Sequence, residues 1–156
     1  MELKDNPGFL LHKIGAMMER SSDLILESEF GIGYSQFKIL FALQHHPAIH
    51  QKEIAHFLGQ TEASISRQIK LLRADGLIAV AKAREDKKKH VITASTKGKR
   101  IASEAFVLLN ARYQPILADL SVTEQQKLAA SLSFVHDRLE IMCGLLADSS
   151  DNEVRP

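Results

Sequence analysis

Cysteine is all but absent from this chain of 156 residues. The single thiol, Cys143, cannot form an internal disulfide, and one cysteine cannot build a multi-cysteine zinc site. Long apolar runs are missing as well. The longest stretch free of Asp, Glu, Lys and Arg, from Ile39 to Gln51, holds three histidines and a proline. It is too short and too polar to cross a bilayer, which takes about 20 apolar residues. The first residues, Met1-Glu2-Leu3-Lys4-Asp5, lack the apolar core of a signal peptide. There is no glycine-rich phosphate loop, no Gly-x-Ser-x-Gly, no His-Glu-x-x-His and no Cys–His pair in a catalytic frame. Internal repeats and low-complexity tracts are lacking too. With 45% hydrophobic and 25% charged residues, the expectation is a soluble cytoplasmic protein with no membrane partner, cofactor or metal, and not an enzyme.

Net charge, formally +1, becomes informative once it is divided along the chain. Residues 60–100 carry 11 Lys or Arg against 4 Asp or Glu, a balance of +7. The rest carries 9 positive and 15 negative residues, a balance of −6. A local surface for a polyanion accounts for such asymmetry; a solvated charged face is the plainer alternative.

The apolar spacing gives the order of elements. Asn6-Pro7 reads as a cap with proline at the first helical position, and Leu10, Ile14, Met17, Met18, Leu24 and Ile25 predict a helix over 7–28. Phe30-Gly31-Ile32-Gly33 breaks it, and a second helix over 34–45 is expected to bury Phe37, Leu40, Phe41 and Leu43. Past Pro47, a short helix from Gln51 to Leu58 carries Ile54, Phe57 and Leu58 inward. Gly59-Gln60 turns the chain, and Thr61 caps a fourth helix with Ile65, Ile69 and Leu72 on one side, closed by Asp75-Gly76. Leu77–Ala81 and His90–Thr93 then predict a two-stranded hairpin around the charged tip 84–89. Ser95 or Thr96 caps a long helix reaching about Leu120, kinked at Pro115. Ser121 and Glu124 form the capping box of the last helix, whose Leu128, Leu132, Val135, Leu139, Met142 and Leu146 are spaced 4, 3, 4, 3, 4. That heptad row either packs across the back of a larger domain or pairs with a second copy; pairing is the expectation, with Leu10 of the first helix beside it.

The fold class expected is mainly α with a small antiparallel β-wing (α+β): a winged helix-turn-helix plus long dimerisation helices. One domain covers 1–156, with 33–95 as the DNA-binding part, 7–30 and 96–147 as dimerisation helices, and 149–156 as a loose tail. In a helix-turn-helix the first helix braces the second, whose N-terminal end enters the major groove of double-stranded DNA. The candidate contacts there are Thr61, Ala63, Ser64, Ser66, Arg67 and Lys70. Small side chains allow close approach, hydroxyls reach bases or phosphates, and Arg67 reads guanine or clamps phosphate. Arg84, Lys87, Lys88 and Lys89 at the hairpin tip suit a minor groove. A solvated turn with lysines for solubility is the competing account, and the helix-turn-helix directly before it decides against that. A winged helix used only for protein contacts would want an acidic or apolar tip.

The chain resembles the MarR (multiple-antibiotic-resistance regulator) family. The likeness runs through Gly33-Tyr34-Ser35-Gln36-Phe37, Gln51-Lys52-Glu53-Ile54-Ala55-His56-Phe57-Leu58-Gly59 and Ser64-Ile65-Ser66-Arg67. It continues through Leu71-Leu72-Arg73-Ala74-Asp75-Gly76-Leu77-Ile78, Arg84-Glu85-Asp86-Lys87-Lys88, Lys97-Gly98 and Leu120-Ser121 with Glu124. The resemblance implies a homodimer held by the first and last two helices, a pseudo-palindromic operator, and a repressor released by a small ligand or an oxidant. The sequence departs from the family in three places. Asp86-Lys87-Lys88 stands where the family has Asp-x-Arg, leaving the minor-groove contact to Lys88 or Arg84. His50 takes the place of a hydroxyl cap, and Glu62 that of a frequent basic residue.

His45, His46 and His50 flank Pro47, which breaks any helical ligand pair, so surface histidines are expected rather than a metal site. Zinc sensors of the family have histidines in the fifth helix, where Leu108 and Arg112 stand here. Its peroxide sensors keep a cysteine in the first helix, which has none. Cys143 therefore reads as an inert, buried or half-buried thiol. Finally, His12 and Met18 with Phe37 and Phe41 suggest an apolar cleft with one titratable group, suited to a small aromatic or phenolic effector. A hydrophobic core with one half-exposed histidine is the alternative.

Overall fold

The computed structural model describes residues 5–82 and 90–152, with side chains described up to residue 143. Arg84, Lys87, Lys88 and Lys89 lie outside the described residues, as does the side chain of Leu146. Among the described residues six helices and three strands follow one another: α1 (Pro7–Phe30), α2 (Tyr34–His45), β1 (Ile49–His50), α3 (Gln51–Leu58), α4 (Glu62–Ala74), β2 (Ile78–Lys82), β3 (His90–Ala94), α5 (Thr96–Leu117) and α6 (Val122–Asn152). The chain divides into two compact units, Met1–Ala111 and Arg112–Pro156, the break falling inside α5.

In the first unit, local chemistry sets the helix limits. The Asn6 side chain accepts from the Phe9 amide with Pro7 at the first helical position, and Gly31, at φ 66°, ends α1 in the left-handed region. The start of α2 is held from α1: the Asp23 carboxylate accepts from the Tyr34 amide at 2.6 Å, and Lys38 pairs with Glu19 at 3.1 Å. α2 touches α1, α3, α4 and β3, so its apolar residues are covered nearly all round. Phe37, Ile39, Leu40, Ala42 and Leu43 are buried, while Phe41 is only half-buried. A single amphipathic stripe did not capture Ile39 and Ala42, because a central helix has no solvent face to alternate with.

The sheet has three strands rather than two, in the order β1-β3-β2, all antiparallel. Ile49 pairs with Ile92, and Ile92 in turn with Val80, so Ile49, Ile78 and Ile92 enter the core together. β1 is two residues long. Too short for a period-2 pattern, it exists because β3 offers an edge to pair with.

α5 starts with a close packing event. The Ser95 hydroxyl accepts from the Gly98 amide at 3.0 Å and donates to the Gly76 carbonyl at 2.8 Å, so Ser95, not Thr96, is the cap. A Cβ on Gly98 would lie 2.0 Å from the Leu77 carbonyl oxygen. Only glycine lets α5 approach the base of β2 this closely.

The second unit contains the end of α5, with Pro115 inside the helix, and α6. Gln125 donates to the carbonyls of Leu117 and Leu120, both at 3.0 Å, tying the two helices at their junction. The expected capping box is present: the Glu124 carboxylate accepts from the Ser121 amide and hydroxyl, and the Ser121 oxygen accepts from the Glu124 amide. α6 runs on to Asn152, four residues into the stretch 149–156 expected as a tail. No described helix is long and apolar enough to cross a membrane.

Candidate nucleic-acid interface

The helix-turn-helix is built from the turn outward. Gly59, at φ 60°, ends α3 in the left-handed region, and the Gln60 amide donates to the Ala55 carbonyl at 2.9 Å. The Thr61 hydroxyl accepts from the Ser64 amide at 3.2 Å, fixing the first turn of α4. The Gln51 side chain reaches the Glu62 carbonyl at 3.4 Å, a long bond between the two helices. Ile65, Ile69 and Leu72 are buried as expected, and Ile54 and Ala55 of α3 are buried with them. Phe57 corrects the sequence expectation: it is 54% exposed. α3 has only two turns, and Ile54 and Ala55 already fill the side facing the core.

With one side of α4 locked, the other is presented. Ala63, Arg67, Lys70 and Ala74 recur at helical spacing and are all exposed, opposite Ile65, Ile69 and Leu72. Thr61 and Glu62 are exposed at the N-terminal end, whereas Ser64 and Ser66 are half-buried on the flanks. Among the described residues no carboxylate pairs with Arg67, Lys70 or Arg73. The small Ala63 one turn before the long Arg67 leaves an open approach with an exposed cation beside it. Leu71, 53% exposed, joins this face and was not singled out by the sequence reading. Its place on the outer face follows from the same period that put Leu72 in the core.

Around this face the structure supplies supports. The His50 ring nitrogen Nδ1 lies 2.9 Å from the His90 carbonyl oxygen, which can only accept, so Nδ1 carries the proton. The Glu53 carboxylate accepts from the His50 amide at 2.8 Å. His50 thus replaces a hydroxyl cap with a link from the start of α3 to the β3 strand. At the far end, Lys97 donates to the Asp75 carbonyl at 3.2 Å and the Ser95 amide to Leu77 at 3.0 Å. The other histidines of the expected surface group lie against rings: His45 against Phe41 at 4.8 Å and His46 against Phe57 at 5.4 Å.

The four residues expected to line an effector cleft differ in placement. Phe37 and Phe41 adjoin, ring centroids 5.8 Å apart, in an aromatic row from Tyr34 to His45 that Phe106 joins from α5. Phe37, however, is 6% exposed and belongs to the core, while His12 and Met18 are exposed on α1. A cavity of about 540 Å³ opens instead between the α2–β1 connection and α3. A smaller one, about 260 Å³, lies where Phe30, Ile32, Asp75, Leu77, Lys97 and Ile101 meet. Neither is lined by any of the four.

On α6, Leu128, Leu132, Leu139 and Met142 are 38–50% exposed in the single chain, as is Leu10 on α1, and Val135 is half-buried. Cys143 is exposed, contrary to expectation, because it stands one residue off that row. His136, Asp137 and Glu140 on α6 bring three possible ligand atoms within 4.8 Å of one another, all exposed.

A bracing helix, a left-handed glycine turn, a helix with one face buried and one presented, and an antiparallel sheet beside it define a winged helix-turn-helix. Residues 30–89 match the sequence model of the MarR family. No curated protein sequence matches the chain. Among solved structures, wild-type MarR from E. coli in its apo form is similar at 22% identity and TM-score 0.75, over 83% of this chain and 96% of that one. The S. aureus MepR–DNA complex is similar at 23% identity and TM-score 0.74, over 86% and 98%. The transcriptional regulator SlyA is similar at 26% identity and TM-score 0.77, over 88% and 98%. Residues 30–89 are thus similar to the MarR family, and the fold is the winged-helix fold of those solved structures.

Proposed function

We propose that this protein is a sequence-specific transcriptional regulator that binds a pseudo-palindromic double-stranded operator as a homodimer. In this reading α4 lies in the major groove, with Thr61, Ala63, Ser64, Ser66, Arg67 and Lys70 at the DNA. Arg84, Lys87, Lys88 and Lys89 hold the minor groove or its phosphates. The observation that carries the proposal is the two-sided α4: a side locked by Ile65, Ile69 and Leu72, and a cationic side on which Arg67 and Lys70 have no acidic partner among the described residues. No acidic residue stands four positions from either cation on α4, so both remain open to an anion. The balance of +7 over residues 60–100 supplies the long-range attraction. S. aureus MepR, similar in fold, was solved with DNA. The chain acts as a repressor, and a small aromatic or phenolic effector lowers its DNA affinity by binding better to a geometry in which the two reading helices no longer match successive grooves.

Selection of genomic fragments on the purified protein, followed by sequencing, tests the proposal. The expected result is a recovered set sharing two half-sites of inverted sequence about one helical turn apart. Recovery no better than that of random fragments refutes it.

A further inference from the structure

We propose that Gln60 reads an adenine, its carboxamide stored inside the turn of the free protein and swung out into the major groove on the operator. The inference rests on the DNA-binding reading above and adds a base contact that lies outside α4. It starts from one atom. The side-chain oxygen Oε1 of Gln60 is buried and has no hydrogen-bond partner among the described residues. Buried polar atoms in native folds are nearly always paired, so an orphaned acceptor in the turn of a helix-turn-helix asks for a second state that pairs it.

The backbone around Gln60 is fixed, and the side chain is what can move. The Gln60 amide donates to the Ala55 carbonyl at 2.9 Å, and Gly59 before it holds the left-handed turn at φ 60°. After it, the Thr61 hydroxyl accepts from the Ser64 amide at 3.2 Å. The residue as a whole is half-buried rather than sealed in, and its neighbours Thr61 and Glu62 are exposed. Rotation about the side-chain bonds, from one staggered arrangement to another, therefore carries the carboxamide outward with the turn unaltered.

The orphaned atom also selects its partner. A carboxamide oxygen can only accept, and so can a phosphate oxygen, so the DNA backbone cannot pair it. In the major groove guanine N7 and O6 and thymine O4 are acceptors as well. Only the adenine N6 and cytosine N4 amino groups donate. Cytosine would use the oxygen and leave the Gln60 amide nitrogen without an acceptor on that base. Adenine presents N6 to the oxygen and N7 to the nitrogen side by side, which matches both ends of a glutamine. Arg67 and Lys70 on α4 only donate, so Gln60 supplies the opposite sense of hydrogen bond.

An enclosed, unpaired oxygen destabilises the free fold, and pairing it at the DNA recovers that loss. The recovery occurs only where the base offers a donor, so it favours the operator over other sequences. Gln60 thus lowers the stability of the free chain and raises the specificity of the complex.

The test compares the full-length wild type with Gln60→Met, a side chain of similar length without the oxygen. The urea midpoint of Gln60→Met should equal or exceed that of the wild type. In selection of genomic fragments the wild type should require adenine at one symmetric pair of positions, and Gln60→Met should accept any base there. On the selected operator Gln60→Met should bind about tenfold more weakly, with affinity for random duplex unchanged. A last arm changes the DNA. Replacing that adenine by unsubstituted purine, which lacks the 6-amino group, should weaken the wild type about tenfold and leave Gln60→Met unaffected. A lowered urea midpoint overturns the inference, since the oxygen is then paired in the free fold. So does an unchanged selected sequence, or equal wild-type affinity for the adenine and purine operators. If the wild type enriches no fragment, the DNA-binding reading and this inference fall together. Enrichment indifferent to Gln60 removes this inference alone.

Discussion

Gly98 is the residue on which the joint between wing and α5 depends. Its missing Cβ is required by the Leu77 carbonyl at 2.0 Å, a backbone atom that cannot rotate away, with a Leu40 methyl at 3.2 Å behind it. Gly98→Ala must therefore push α5 off β2, and overpacking of this kind costs about 1–3 kcal/mol or more. Alanine is the better helix former, by about 1 kcal/mol, so propensity alone predicts the opposite sign. Urea unfolding distinguishes the two: a lower midpoint supports the close approach, and a raised one sinks it. Arg67 is the corresponding residue on the exposed side of α4, the side proposed to meet DNA. If it reads a base, Arg67→Ala should cost about 1–3 kcal/mol on the selected operator and much less on random duplex. Equal losses on both, measured by fluorescence anisotropy, make it a phosphate clamp. Both residues were legible as members of motifs, Gly98 after Lys97 and Arg67 after Ser66. The reason Gly98 must be glycine was not legible, because the atom it avoids lies 21 positions back in the chain, at Leu77.

Among the elements, the start of α6 carries a chemical signature that can be titrated. The Glu124 carboxyl is held below the usual carboxylate range by the hydrogen bond from the Ser121 hydroxyl first, and by that from the Ser121 amide second. A carboxyl whose folded value is depressed stabilises the fold above its unfolded value, and that contribution disappears as pH falls through the folded one. Thermal unfolding followed from about pH 6 down to about pH 3 should thus show an acid-dependent loss that Glu124→Gln lacks, since glutamine keeps a cap bond but carries no titrating charge. Superimposable profiles for wild type and variant count against the box as a stabilising element. This box was readable because all its atoms come from four consecutive residues. α1, α2 and α4 were readable for a similar reason, with caps and apolar rows local to each. β1 and the exposed ring of Phe57 were not. A two-residue strand exists only through its partner Ile92, and which side of a two-turn helix meets the core is settled by α2 and the sheet, not by the helix's own sequence.

For the whole molecule the decisive quantity is apolar surface that a single chain leaves open. Leu128, Leu132, Leu139 and Met142 keep 38–50% of their surface exposed along one row of α6, and Leu10, Ile14, Met17 and Met18 do much the same along α1. Isolated exposed leucines need no explanation, but a heptad row of them on a helix of 31 residues does. In the proposed dimer a second copy of the same chain would cover such a row with its own, the self-complementary arrangement that twofold symmetry requires. Light scattering at micromolar concentration should accordingly give twice the 17.4 kDa of one chain. Leu132→Glu with Leu139→Glu buries two unpaired charges in that contact and should shift the mass to one chain, because an unpaired buried charge costs more than the contact returns. The same variant leaves α4 and its turn unaltered, so its residual DNA binding separates two contributions. Losing the dimer removes the second half-site, and affinity for the operator should fall by about 100-fold or more while affinity for random duplex changes little. A wild-type chain of monomeric mass that still binds the full operator tightly contradicts the dimer. A double variant that stays dimeric instead moves the contact away from the row on α6.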